Sequence, residues 1–439
     1  MKAIDLLAPI VLVLSNACLG QSDPSAIAAP HLSTRPLTID EAVAASLAGN
    51  PEIHAAARRL SIAQMKTSTA RSLDDSMLMV RDWETPLSQP WNLNQAQLMV
   101  GLQQTFPNRQ KRETRARLAQ DDATVEAANL ESLRQEVAAQ ARKLCADLLR
   151  NADEMKLHQR QASLLKEASD AALAQYTIGK VPQADVLRAQ TALTRLSEHL
   201  IQLEEERDTA RAQLNVLMGQ RPDEAIEIEG SYTTSAALPA LEDLERTAME
   251  HRPELAGLRA QTAKAKNEGT MARLGMKPDF TVALGYMLMP TGSMSRNAYM
   301  AEGSMTLPWL NRERHENEAK QADAATELSQ SELEARTSAV FLEIRQAQIA
   351  VLSAQKRVRL YRDTLLPQAE ASFKASAAEY QNNRAEFMSL IDTQNLLLEI
   401  QAAYYRASAD TDAEIAELER AIGAPIADST RQDPGRASK

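Results

Sequence analysis

At 439 residues the chain is long enough for two or three ordinary domains, yet only 14 Gly, 18 Pro and 5 Phe are spread along it. It is therefore poor in turns and aromatics, and its wealth of Ala, Leu, Gln, Glu and Arg, with 25% charged residues, points to long packed helices. A net charge of −10 without clustered Lys or Arg argues against a nucleic-acid partner.

Residues 1–20 have the layout of a secretory signal: Met1 and Lys2, an apolar run from Leu6 to Leu14, then Ser15, Asn16, Ala17 and Cys18. Cys18, preceded by Ala, is a candidate for lipid acylation. The alternative is ordinary cleavage nearby, because Ser15 stands where a lipoprotein signal usually has Leu. Residues 21–36 read as a linker. No later stretch of about 18 apolar residues could form a transmembrane helix, so any membrane crossing must use strands. Besides Cys18 there is only Cys145, inside a helical pattern, which leaves no intrachain disulfide framework.

Thr38, Ile39, Asp40 and Glu41 form a capping-box pattern that opens a helix ending at Gly49; Asn50 then caps a second helix with Pro51 in its first turn. That helix is expected to run to about Ser72. Strands are expected at about 74–83 and 95–106. In the second, Ala96, Leu98, Val100, Leu102 and Phe106 share one face, and Gln95, Gln97, Gly101, Gln103 and Thr105 share the other. After Pro107 there is no Pro or Gly until Gly179, and Leu130, Val137 and Leu144 recur at sevens, as do Ala141, Leu148 and Met155. A helix from about Arg109 to Tyr176 spans roughly 100 Å. A turn at Ile178 to Pro182 reverses the chain, and the returning helix to Gly219 reaches only roughly 55 Å. The helix over 51–72, with the short one before it, supplies the missing half when stacked end to end on the returning helix.

The chain then repeats itself. At an offset of 202, Asn50, Pro51, Glu52 and Ile53 fall on Arg252, Pro253, Glu254 and Leu255, and Ala70 and Arg71 on Ala272 and Arg273. At 204, Tyr176, Gln190 and Gly219 fall on Tyr380, Gln394 and Gly423. The first repeat is 37–219, with its helix hairpin at 109–218, and the linker is 220–239. The second repeat is 240–423, with strands at about 278–289 and 298–307 and a hairpin at 312–422 whose outgoing helix runs to Tyr380. A polar tail, 424–439, follows. The fold class is thus mainly α with a small β part, a duplicated helix, strand, strand, helix, helix unit.

Strands of about ten residues cross a bilayer at a tilt; the rival reading is a small soluble sheet. Phe280, Val282, Leu284, Tyr286 and Leu288 line one side of the third strand, while Met300, Glu302, Ser304 and Thr306 make one side of the fourth polar. Four strands cannot close, and lipid tolerates no open edge, so a barrel of eight or more needs at least two chains.

Taken together, the Pro-Glu helix starts, Lys277, Pro278, Asp279 and Phe280 opening a strand, Leu307, Pro308 and Trp309 closing one, and the turn from Tyr176 through Asp185 to Leu187, with Gln190 beyond, resemble the outer-membrane efflux protein family. The likeness is to its TolC-like members and, among them, the heavy-metal CzcC and CusC branch. The resemblance implies a homotrimer in the outer membrane, extending into the periplasm, with a 12-stranded barrel over a helical tunnel. It also implies a periplasmic adaptor and an inner-membrane pump, of the RND type in this branch, as partners, and a passive duct for heavy-metal cations. Hairpin tips in such proteins contact the adaptor and form the gate; here they hold Gly179, Lys180, Val181, Pro182 and Asp185 in one hairpin and Asn383, Arg384 and Glu386 in the other. The alternatives are helix-reversing turns without that role, a drug or polypeptide duct of the same family, and a soluble periplasmic coiled-coil scaffold or adaptor.

No catalytic constellation is found, so no enzyme and no cofactor is expected. His31, His54, His158, His199, His251 and His315 are scattered with no pair at i, i+4, and are expected on helix surfaces; no metal site is assigned. Met99, Met287, Met289 and Met300 lie on strand faces with polar or small residues, which suits either a path for Cu(I) or Ag(I) or simple packing.

Overall fold

A computed structural model describes residues 35–83, 97–179, 182–233, 237–288, 297–381 and 387–426, and from Pro36 onward the chain is mainly helical with a small sheet. The two-residue β1 (Leu37–Thr38) leads into α1 (Ile39–Gly49), where the Thr38 hydroxyl accepts from the Glu41 amide at 3.3 Å and the Glu41 carboxylate accepts from the Thr38 amide at 3.0 Å. Asn50 then caps α2 (Pro51–Arg71), its Oδ1 accepting from the amides of Glu52 and Ile53. Strands β2 (Met77–Trp83) and β3 (Gln97–Phe106) follow, then α3 (Arg109–Thr177), 69 residues without a break. The returning α4 (Gln183–Leu217) ends the first repeat, and β4 (Ile228–Glu229) pairs in parallel with β1.

The second repeat has the same order: α5 (Leu241–His251), α6 (Pro253–Leu274), β5 (Phe280–Leu288), β6 (Asn297–Met305), a 3₁₀ turn (Pro308–Asn311) and α7 (Arg312–Leu360). Here the outgoing helix departs from the unbroken one expected. A π turn (Tyr361–Leu365) separates α7 from α8 (Leu366–Gln381) before α9 (Phe387–Ile422) returns. Pro367 is the physical reason: its nitrogen carries no hydrogen, and its ring crowds the carbonyl of Asp363, so the helix widens one turn upstream.

The long helices gather the rest. Helix α3 packs along α4, α2, α6 and α9. Leu130 and Val137, on the seven-residue period, are buried against Ile53 and Ala56 of α2. In the second repeat Val340, Ile344 and Val351 of α7 close on Leu244, Leu255 and Leu418. Full burial of such side chains is worth about 2 kcal/mol each.

End-to-end stacking of the half-length helices occurs at glycines. The end of α4 abuts the end of α1, so that a Cβ on Gly219 (φ 71°) would strike the Gly49 carbonyl oxygen and one on Gly49 would strike that of Met218. At the matching place in the second repeat, Gly423 (φ 75°) lies against the Arg252 backbone. Arg252, where the first repeat has its capping Asn50, does different work. Its buried guanidinium donates to the Ala421 carbonyl at the C-terminal end of α9, where the helix dipole favours a cation, and pairs with Glu254 and Glu343. Arg336 completes the network through Glu254 and Glu343, and its hydrogen bonds hold the Glu254 carboxyl below its ordinary range.

Candidate duct wall and hairpin tips

Strands β2, β3, β5 and β6 form one antiparallel sheet in that order, so hairpin β2–β3 from the first repeat meets hairpin β5–β6 from the second through β3 and β5. The register runs from Leu98 opposite Leu288 to Phe106 opposite Phe280, which places like residues together. One face carries Leu78, Val80, Val100, Leu102, Phe280, Val282, Leu284, Tyr286 and Tyr299, all exposed. Nine residues at about 3.3 Å each give roughly 30 Å, which a tilted strand brings to about the height of a lipid-facing band.

The opposite face is unlike it. Arg81, Met99, Met287 and Ala298 lie in one cross-strand row, and Met79, Gly101, Gly285 and Met300 in the next, with Gln103, Thr105, Thr281, Glu302 and Ser304 beside them. Met99 is fully buried and folds over Gly285, its sulfur 3.2 Å from where a Cβ would stand. Arg81 of the first strand reaches Glu302 of the last at 3.6 Å. Those strands are separated by two others, about 14 Å at normal spacing, so this face curls inward. An apolar outer face and a concave polar one match a barrel wall and its bore. The outer edges of β2 and β6 have no partner strand among the described residues.

The sheet is tied to the helices at its base. Asp279 accepts from the Asn108 amide at 2.9 Å and from the Lys111 ammonium at 2.8 Å, and the same ammonium donates to the Lys277 carbonyl. This explains the chemistry of the Lys-Pro-Asp-Phe sequence at 277–280: its Asp pins the start of β5 onto the first turn of α3.

Far along α3 lies the first hairpin tip. Gly179 takes φ 73°, and its amide donates to the Tyr176 carbonyl at 2.9 Å. Pro182 stands at the N-cap of α4, and Asp185 is the third residue of that helix. Lys180 and Val181 lie outside the described residues, as do Asn383, Arg384 and Glu386 between α8 and α9, and Cys18 near the start.

One expectation about the histidines is corrected. His54 and His251 are exposed, but His158 is buried, and its ring stands edge-on to that of His199, 4.6 Å between centroids. The two come from α3 and α4, so no spacing within one helix marks the pair; the signal in the sequence is Glu154 one turn before His158.

The model of the family described as outer membrane efflux protein matches residues 244–424. That match covers the second repeat, from within α5 to just past the end of α9. Over 396 residues it is 22% identical to the cobalt-zinc-cadmium resistance protein CzcC of Cupriavidus metallidurans, covering 90% of this chain and 92% of that one. Among solved structures, CusC superposes with a TM-score of 0.76 at 12% identity, covering 88% of this chain and 92% of CusC. VceC of Vibrio cholerae gives 0.73 at 17%, covering 89% and 97%, and the open state of MtrE from Neisseria gonorrhoeae 0.74 at 16%, covering 88% and 89%. These likenesses establish the fold. That fold is the one outer-membrane efflux channels adopt, not a small soluble sheet on a coiled-coil scaffold.

Proposed function

We propose that three copies of this efflux protein close one 12-stranded barrel and serve as the outer-membrane duct of a three-part exporter of heavy-metal cations. A periplasmic adaptor and an inner-membrane pump of the RND type complete that exporter. The similarity to a cobalt-zinc-cadmium resistance protein along nine-tenths of both chains carries the cargo reading. The open edges of β2 and β6 support closure by several copies. Deleting the gene should lower tolerance to cobalt, zinc or cadmium while drug tolerance holds. Unchanged metal tolerance with lowered drug tolerance would make the cargo organic, and a loss of secreted polypeptides would make it protein.

In the same reading, Cys18 is the site of lipid attachment, and the hairpin tips meet the adaptor and form the gate: Gly179, Lys180, Val181, Pro182 and Asp185 in one, Asn383, Arg384 and Glu386 in the other. Asp185, Arg384 and Glu386 supply bonds between subunits that hold the tip closed. Arg384→Glu should therefore raise the conductance of the isolated channel in a planar bilayer; an unchanged conductance removes Arg384 from the gate.

A further inference from the structure

We propose that Glu154, His158 and His199 form a binding site for a divalent transition-metal ion of the Zn2+, Co2+ or Ni2+ class, built into the wall of the first hairpin. Glu154 and His158 stand one turn apart on α3, and His199 faces them from α4. One ligand atom from each lies within 4.8 Å of the other two. Coordination bonds of about 2.1 Å set tetrahedral ligands about 3.4 Å apart. The half-buried His199 closes that gap by turning about its side-chain bonds.

The surroundings orient the ligands as a metal site requires. His158 is 9% exposed, and its Nε2 has no hydrogen-bond partner. Its Nδ1 meets Gln161 Oε1 at 3.1 Å, while the Gln161 amide nitrogen donates to Asn395 Oδ1 of α9 at 3.2 Å. With the Gln161 oxygen toward the ring, Nδ1 carries the hydrogen and Nε2 is the ring nitrogen left for a ligand bond. The fully buried Glu154 is aimed by Arg406, whose Nε and Nη2 each donate at 3.0 Å, and by Arg150 at 3.3 Å.

Those two guanidinium groups oppose a cation, so the local charge decides whether one is tolerated. Arg150 also pairs with Asp147 at 3.8 Å and Glu206 at 3.1 Å. Three carboxylates against two guanidinium groups leave one negative charge, and a divalent ion brings the cluster to one positive. Grooves lined by His199, Glu206 and Arg406 on one side and by His158, Gln161 and Asn395 on the other give the ion a path from solvent.

The site is independent of the cargo: direct binding tests it, whereas tolerance phenotypes test the export reading. The full-length channel, purified in detergent and stripped with a chelator, is titrated with Co2+ and followed by its visible ligand-field absorption. One ion per chain, displaced by Zn2+, is expected. His158→Ala and His199→Ala should each weaken binding at least tenfold, and His54→Ala, on the exposed face of α2, should not. If His158→Ala fails to fold, His199→Ala decides alone, since that ring is half-exposed. A wild-type channel that takes up no Co2+, or one whose binding survives loss of His199, overturns the site and leaves the edge-on rings as packing.

Discussion

Gly219→Ala should destabilise the channel by about 3 kcal/mol or more, because a left-handed backbone and a collision act together. The φ of 71° alone costs a side chain roughly 1 to 2 kcal/mol. The added Cβ must also displace the Gly49 carbonyl, and forcing atoms into a packed contact costs about 1 to 3 kcal/mol more. Gly179→Ala is the control: φ is 73°, but nothing lies within 4 Å of its Cβ, so only the backbone cost of roughly 1 to 2 kcal/mol applies. Denaturant unfolding of the detergent-solubilised protein, followed by far-ultraviolet circular dichroism, measures both. Equal midpoints for the two variants would mean that the helix ends do not abut at Gly49 and Gly219. Gly423→Ala should behave like Gly219→Ala, since its Cβ would lie 2.8 Å from the Arg252 Cα.

The second large effect belongs to the sheet. Leu284 is at the middle of β5, on the apolar face and 62% exposed. In the proposed three-copy barrel Leu284→Arg puts a cation at the depth of the bilayer centre and should cost about 2 to 4 kcal/mol per chain, which should abolish the assembled channel. Gln103→Lys, on the concave face, adds the same charge and should leave assembly intact. The measurement is the amount of heat-modifiable oligomer recovered from outer membranes. Recovery of Leu284→Arg at the wild-type level would reverse the assignment of the two faces.

Local chemistry was legible in the residues wherever a single element sufficed. Thr38 with Glu41 and Asn50 before Pro51 announced two helix starts that form as written, since a cap is decided within four residues. The alternation of Val100 and Leu102 with Gly101 and Gln103 announced the two faces of β3, because a strand's side chains alternate whatever it pairs with. What escaped depends on neighbours distant in sequence. The Arg81–Glu302 contact joins residues 221 apart and needs the sheet to curl. The β1 and β4 strands are two residues each, too short to show any period. The approach of His158 to His199 follows from how α3 and α4 pack, which no spacing encodes. Pro367 is visible as a proline within a helical run, but whether such a proline breaks, kinks or widens the helix depends on what packs around it. The adaptor and gate roles of both hairpin tips stand on resemblance alone.

The length of α3 has a mechanical meaning. Its first turn is fastened to the base of the sheet through Lys111 and Asp279, and its last turn carries the hairpin tip. In a helix of roughly 100 Å, a tilt of about one degree at the sheet moves the far end by roughly 2 Å. In the proposed duct the wall is thus a lever with its fulcrum at the sheet. A partner that pushes on the tip works at the long arm, where a small force suffices, and the strands at the short arm are scarcely disturbed.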